Sequence, residues 1–336
     1  KPENMNYLCL LYPSASLASL YNPIDATNRR LSLPQIRTEI GQKLKDQLEQ
    51  MKSRVQRGDQ RQDDRWYYVV PLLMDQDHPA MKAWFQEPVL RNLTETIDGV
   101  DEYEDDKGIL SLHLQELKRL YNEPDLLNLG RMPGDLVEVL VNMAMASPAV
   151  CALRMLDPEA PEAVDLALQL AKTVVDRFNN PEAIAIVDLS YGQPGEGIYW
   201  KHVLQYCLDG NLQAVLDEYS HMLMEGYDYS KQDRQERNRV LTADMIRTLK
   251  THTASYIVDT YQNFGDRVKN PHKTSRKARP MRMRSHYAVG FYDTRSEGTS
   301  IQRKENIRLS FNSPFRPFVL ATTSIGQEGL DFHYYC

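Results

Sequence analysis

The chain is short of the residues that build stapled or metal-held folds. Its four cysteines, Cys9, Cys151, Cys207 and Cys336, are scattered, and no pair has metal-ligand spacing. A disulfide framework and a zinc module of the C-x-x-C kind are therefore excluded, and a reduced, cytoplasmic setting is expected. No run of about eighteen apolar residues occurs, so no membrane span is expected. The most apolar stretch, residues 136–156, is interrupted by Glu138, Asn142, Pro148 and Arg154 and reads as core helices. No secretory leader opens the chain, and no repeat or low-complexity tract is present. There is no G-x-x-x-x-G-K-[ST] loop to cradle nucleotide phosphates with backbone N–H groups and a lysine. There is no D-E-x-H box to hold magnesium either. No Ser-His-Asp or Cys-His arrangement follows from spacing, so no catalytic residue and no metal ligand is assigned. The formal net charge of -6 does not advertise nucleic-acid binding, nor does it exclude it. A local basic patch matters more than the sum.

What is present is ordinary for a globular protein: 42% hydrophobic and 26% charged residues over 336 positions, enough for two or three domains. Residues 7–12 are a short apolar run ending at Pro13, consistent with a buried strand or a linker. Residues 32–57 begin Ser-x-Pro and place Ile36, Ile40, Leu44, Leu48 and Met51 at helical spacing, which predicts a long amphipathic helix. Residues 58–65 read as an exposed polar loop. Residues 66–74 are aromatic and β-branched, but Pro71 argues against a central strand, leaving a short strand or a helix start. Residues 79–93 read as helix and the acidic stretch 98–107 as a solvated linker.

From there the text is mostly helical. Helices are expected at 109–121, 135–145, 148–156, 161–178, 198–208, 211–225 and 233–250, with one short strand at 183–189. Pro133, Pro148 and Pro161 sit near helix starts, where a missing N–H costs little. Residues 253–261 and 286–291 are strand candidates. Between them, residues 267–284 carry eight Lys or Arg in eighteen positions, either a basic loop in solvent or a surface that follows nucleic acid.

The most informative stretch comes last. Residues 302–311 read as a charged amphipathic helix with Arg303 and Arg308. Residues 318–322 read as a short buried strand ending in Thr322, followed by the loop TTSIGQEGLD with Thr323, Gly329 and Asp331 in a T-x5-G-x-D pattern. A strand ending in hydroxyl residues puts them at the carboxyl edge of a parallel sheet, where open α/β sheets bind ligands. Hydroxyls and free N–H groups there suit phosphate oxygens. Gly326 and Gly329 permit close approach of a ligand to the backbone.

This order resembles the second RecA-like lobe of superfamily 2 helicases and translocases, and the loop resembles their motif V. Large bacterial helicases of mobile-element and phage-defence systems are the members most alike. The resemblance covers residues 286–336 well and 196–285 only loosely. It implies an α/β fold, a partial RecA-like parallel-sheet lobe preceded by a largely α-helical domain. The expected divisions are 1–35 as a linker or strand from a preceding lobe, 36–195 as the helical domain and 196–336 as the partial lobe. By the same resemblance Thr322 and Thr323 contact the nucleic-acid backbone, and Gly329 and Asp331 lie near the nucleotide. Lys273, Arg276, Lys277 and Arg279 of the basic stretch would follow the strand.

The cofactors implied are ATP and Mg2+ in the complete protein, with none held by these residues alone. The partner is nucleic acid, DNA by expectation, with other subunits of a defence complex as a further partner. Because the phosphate loop is missing and the chain stops just after the motif V-like loop, an internal piece of a larger protein is expected. Two alternatives stay open: a double-strand translocase that does not unwind, and a non-catalytic scaffold with a degenerate lobe.

Overall fold

The computed structural model describes residues 5–51, 56–86, 104–123, 128–192, 198–249, 254–258, 281–285 and 313–314. The chain divides into two compact units, Lys1–Ile246 and Arg247–Cys336. The first unit is mostly helical with one small parallel sheet.

Helix α1 (Leu8–Leu11) follows a single 3-10 turn, and α2 (Ala15–Ser19) and α3 (Pro23–Asn28) come next. The apolar run at 7–12 is therefore not a strand. Leu8, Cys9 and Leu10 are fully buried, and a helical turn satisfies their backbone groups locally, with no neighbouring strand needed. The Ser14 hydroxyl accepts from the Leu17 N–H and starts α2, and Asn22 does the same for Ile24 and Asp25 at α3. Residues 1–35, expected as a linker, thus contribute core to the helical unit.

Helix α4 (Leu33–Met51) is the long amphipathic helix expected, starting where predicted. Gln35 reaches back to accept from both the Ser32 N–H and its hydroxyl, the reciprocal half of a capping box. Its buried stripe is Ile40, Gly41, Leu44, Leu48 and Met51. Helix α4 packs on α8 (Leu136–Ala146), and a Cβ at Gly41 would meet Val141 at 3.7 Å, an ordinary van der Waals contact.

Strand β1 (Gln56–Gln62) occupies the stretch expected as an exposed loop. Pairing makes it a strand. It runs parallel to β2 (Asn128–Arg131), with Gln56 opposite Asn128 and an irregularity before Gln62 meets Arg131. The crossover carries α5 (Trp66–Met74), α6 (Pro79–Gln86) and α7 (Glu104–Asn122). Helix α5 includes Pro71 and is buried from Trp66 to Leu73, so packing on every side offsets the hydrogen bond that proline removes. Helix α7 begins inside the acidic stretch expected as linker.

Helices α8 and α9 (Pro148–Leu156) form the apolar centre, bent by 43° at Ser147. No single described helix is long and apolar enough to cross a membrane. The Ser147 hydroxyl donates to the Cys9 carbonyl at 2.9 Å, binding the bend to α1. Helix α10 (Pro161–Phe178) packs on α9, and Ala163, Ala167 and Ala171 are among its buried residues. Residues 183–189, expected as a strand, lie in α11 (Pro181–Tyr191). Asn180 caps the Ala183 N–H at 2.9 Å and Pro181 takes the first position, and these start signals override the β-branched Ile184, Ile186 and Val187.

Helix α12 (Tyr199–Asp209) packs on α8 and α13 (Leu212–Gly226) on α9. Residues expected to open the second lobe thus belong to the first unit up to Ile246, within α14 (Arg234–Leu249).

In the second unit β3 (Ala254–Val258) is the strand expected there. It pairs antiparallel with β4 (Met281–Ser285), with Val258 opposite Met281 and Ala254 opposite Ser285. The end of the basic stretch is therefore strand, not loop. Among the described residues the parallel pair lies in the first unit and the pair in the second is antiparallel. The expected strand at 286–291, the helix at 302–311 and the strand at 318–322 lie outside the described residues.

Arg154 on α9 is a largely enclosed cation of the helical unit. It donates to the Ala18 carbonyl at 3.0 Å, to Gln213 Oε1 at 2.5 Å and to the Ala144 carbonyl, and lies over the Tyr21 ring. Replacing it leaves buried acceptors unpaired, each costing about 1–3 kcal/mol. Arg154→Met is expected to lower unfolding stability by about 3 kcal/mol. Arg29→Ala, which removes a surface pair, should leave the midpoint in place. Urea denaturation followed by far-UV circular dichroism measures both.

Candidate functional site

The carboxyl edge of a parallel sheet is where α/β proteins place their ligands, and here that edge is short. After β1 the chain turns through Asp63, Asp64 and Arg65 into α5. After β2 it turns through Pro133, Gly134 and Asp135 into α8.

The Asp63 carboxylate ties the two turns together. It accepts from the Gly130 N–H at 2.9 Å, from the Arg65 N–H at 3.0 Å and from the Arg65 guanidinium at 2.6 Å. Arg65 also donates to the Asn128 carbonyl at 2.6 Å, and Trp66 Nε1 to the Gly130 carbonyl at 2.9 Å. Burial alone would push Asp63 up. The Arg65 guanidinium and the two N–H donors outweigh burial and hold the carboxyl below its ordinary value.

Beside this clamp three helix starts meet. Tyr67 comes from the first turn of α5, Asp135 immediately precedes α8, and Lys201 stands in the first turn of α12. The Tyr67 hydroxyl donates to Asp135 Oδ1 at 2.5 Å. Lys201 Nζ donates to the Tyr67 oxygen at 2.8 Å and to Asp135 Oδ2 at 2.6 Å. The ammonium lies 4.3 Å from the Tyr67 ring centroid and 5.6 Å from that of Trp200, and the two rings meet edge to face at 5.4 Å. Asp135 stands at the cap position of α8 but makes no cap hydrogen bond, because its carboxylate is turned to the phenol and the lysine.

Electrostatics follow from this geometry. Burial raises Tyr67 first, and the Asp135 carboxylate adds to it, so the phenol stays protonated far above neutral pH. Burial would also raise Asp135, but donation from Lys201 and Tyr67 outweighs it and lowers the carboxyl. The phenol already donates once and accepts once, so it has no role as a base in this arrangement. Lys201 has used two of its three donors. With its side chain 27% exposed, it can offer one N–H to an incoming acceptor. The cluster is thus a pin joining three helices, with one donor in reserve.

Thr322, Thr323, Gly329 and Asp331 lie outside the described residues, as do Lys273, Arg276, Lys277 and Arg279. Among the described residues no group of three His, Cys, Asp or Glu is placed to hold a metal ion. Tyr67, Asp135 and Lys201 were not legible as a set, being separated by 68 and 66 positions with no motif linking them. Their shared signal is positional: each falls at the start of a helix.

Compared with models of protein families, with curated proteins and with solved structures, the chain matches none.

A depressed carboxyl contributes stability above its unfolded value, lost as pH falls through its folded value. Asp63 and Asp135 are both depressed, so stability should fall as the solution is acidified below about pH 4. Lys201→Met should cost about 1 kcal/mol at neutral pH, since Asp135 is 44% exposed and its pair is screened. The variant should also show a shallower acid decline. Thermal melts between about pH 2 and 7 test the sign, and an equal or steeper decline in the variant would refute the pin.

Proposed function

We propose that the chain is part of an ATP-dependent nucleic-acid helicase or translocase, with residues 247–336 contributing to a second RecA-like lobe. The observation that carries this reading is the order of signals at the end of the sequence. A charged helix precedes an apolar strand ending in Thr322, and the loop from Thr323 through Gly329 to Asp331 follows. Supporting it, residues 247–336 cluster as a unit of their own and carry a strand, Ala254–Val258, near their start.

In this reading Thr322 and Thr323 grip the phosphate backbone, while Gly329 and Asp331 lie near the nucleotide. Lys273, Arg276, Lys277 and Arg279 follow the strand, DNA being the substrate. The 336 residues contain no phosphate loop. ATP and Mg2+ would then be held with a first lobe supplied elsewhere in the protein. Closing and reopening of the lobes moves the strand, a population shift set by differential affinity for ATP. Cytoplasmic action within a bacterial antiphage-defence complex belongs to the same reading.

A second reading, a scaffold whose helical unit binds partners, is favoured by α11. Its Ile186 and Leu189 are exposed, Leu189 at 87%.

The 336-residue chain alone should show no ATPase above background, because its sequence contains no phosphate loop. In the complete protein Thr323→Ala should cut nucleic-acid stimulation of ATPase about tenfold, the weight of about 1.4 kcal/mol, with less effect on basal turnover. Asp331→Ala should impair turnover even without nucleic acid. If both variants melt like the unsubstituted protein and keep full stimulated ATPase, the loop is not motif V. A complete protein without any ATPase would leave the scaffold reading.

A further inference from the structure

Helices α3 and α4 meet at an exposed corner with a defined backbone. The Arg30 N–H donates to the Thr27 carbonyl at 2.9 Å, and the Leu31 N–H to the Ala26 carbonyl at 3.0 Å. This nested pair of bonds is a Schellman helix ending, and Arg30 occupies its left-handed position at φ 53°. Glycine is the usual residue there, because a side chain crowds the backbone in that conformation. Among the described residues the other non-glycine positions at positive φ are Asn211 and Asp228. Both are types whose short polar side chains tolerate it. Arg30 is the exception, and glycine in its place would relieve strain.

Nothing described in the chain offsets that strain through the Arg30 side chain. Its neighbour Arg29 donates to Asp25 at 3.2 Å and to both Glu39 oxygens, at 3.0 and 2.6 Å. Arg37 lies 4.0 Å from Glu138. Arg30 is exposed and pairs with no described acid. The same corner exposes apolar surface, Ile24 on α3 at 73% and Leu33 at the start of α4 at 55%. Residues held against their own backbone preference cluster at functional sites, and here the residue so held is an uncommitted cation bracketed by exposed aliphatic side chains.

We propose that the α3–α4 corner docks an acidic, apolar segment of a partner protein, with Arg30 taking a carboxylate and Ile24 and Leu33 taking aliphatic side chains beside it. Charge complementarity selects that occupant. The guanidinium fork matches a carboxylate in two parallel hydrogen bonds. An anionic membrane calls for a cluster of basic residues, and a nucleic-acid backbone for one at each phosphate held. At this corner a single cation is uncommitted, and the adjoining Arg29 is already matched by Asp25 and Glu39. The inference goes beyond the motor reading and uses no residue of the second unit.

The test is selection of a random-peptide phage library on the 336-residue chain, followed by fluorescence anisotropy of the selected peptides. Enriched peptides should carry Asp or Glu next to Leu, Ile or Val. Arg30→Gly should weaken their binding at least tenfold, and so should Ile24→Ser with Leu33→Ser. Arg30→Lys should keep more affinity than Arg30→Gly. Because glycine suits the left-handed position, Arg30→Gly should also raise the thermal midpoint by about 2 °C, so that lost binding cannot be lost folding. Selection that enriches no peptide, or peptides without an excess of acid, would overturn the proposal. Acidic peptides held equally by the Arg30→Gly variant would do the same. A midpoint that this variant leaves in place or lowers would remove the strain on which the inference stands. Co-sedimentation with phosphatidylserine-containing vesicles that is lost in Arg30→Gly, without any selected peptide, would assign the corner to a membrane surface instead. Each of these failures leaves the motor reading standing, since that reading is tested by ATPase of the complete protein.

Discussion

A buried guanidinium sets the geometry of the helical unit. Helices α8 and α9 are apolar almost throughout and meet at a single bend, so their broken backbone hydrogen bonds must be met by something inside the core. Arg154 meets part of that demand. It reaches the Ala144 carbonyl on α8, the Ala18 carbonyl on α2 and the Gln213 side chain on α13. Burial pushes the guanidinium below its ordinary value, yet three acceptors and the Tyr21 ring face it. A buried charge is tolerated on those terms and not otherwise. The positions of α2, α8, α9 and α13 are in this way mutually fixed by one side chain.

The same logic sorts the acids of the unit. Asp75 is wholly buried and accepts from the Tyr12 hydroxyl at 2.8 Å and the Ser16 N–H at 2.7 Å. Burial dominates and its carboxyl is raised. Asp63 and Asp135 are only part-buried and each has a cation in contact, Arg65 or Lys201, so both are lowered. One residue type takes opposite directions according to whether a cation or only neutral donors face it. The two lowered acids sit at the turns leaving the parallel strands, where they hold the chain reversals; the raised one sits under α2.

How much could be read in advance follows from these constraints. Helices α4, α8, α9, α10, α12 and α13 were legible because their apolar positions keep a helical period and proline or polar caps mark their starts. Helix α11 was not, because Ile184, Ile186 and Val187 favour a strand, while the deciding cap at Asn180 lies just outside that run. Strand β1 reads as loop from its composition, and only pairing with β2, far along the chain, makes it a strand. The Tyr67–Asp135–Lys201 pin was invisible for the same reason: each member is ordinary in its own neighbourhood, and only the crossover brings them together. Local signals carry local elements, while sheets and sites depend on partners distant in sequence.

In the helical unit the prominent polar groups close on one another. Arg65 meets Asp63, Lys201 meets Asp135, Arg154 meets carbonyls, and the pin keeps a single donor in reserve. Groups so occupied rigidify a scaffold and have little capacity left for a ligand. In sequence, residues 267–292 carry eight Lys or Arg and no acid, in contrast to these matched pairs.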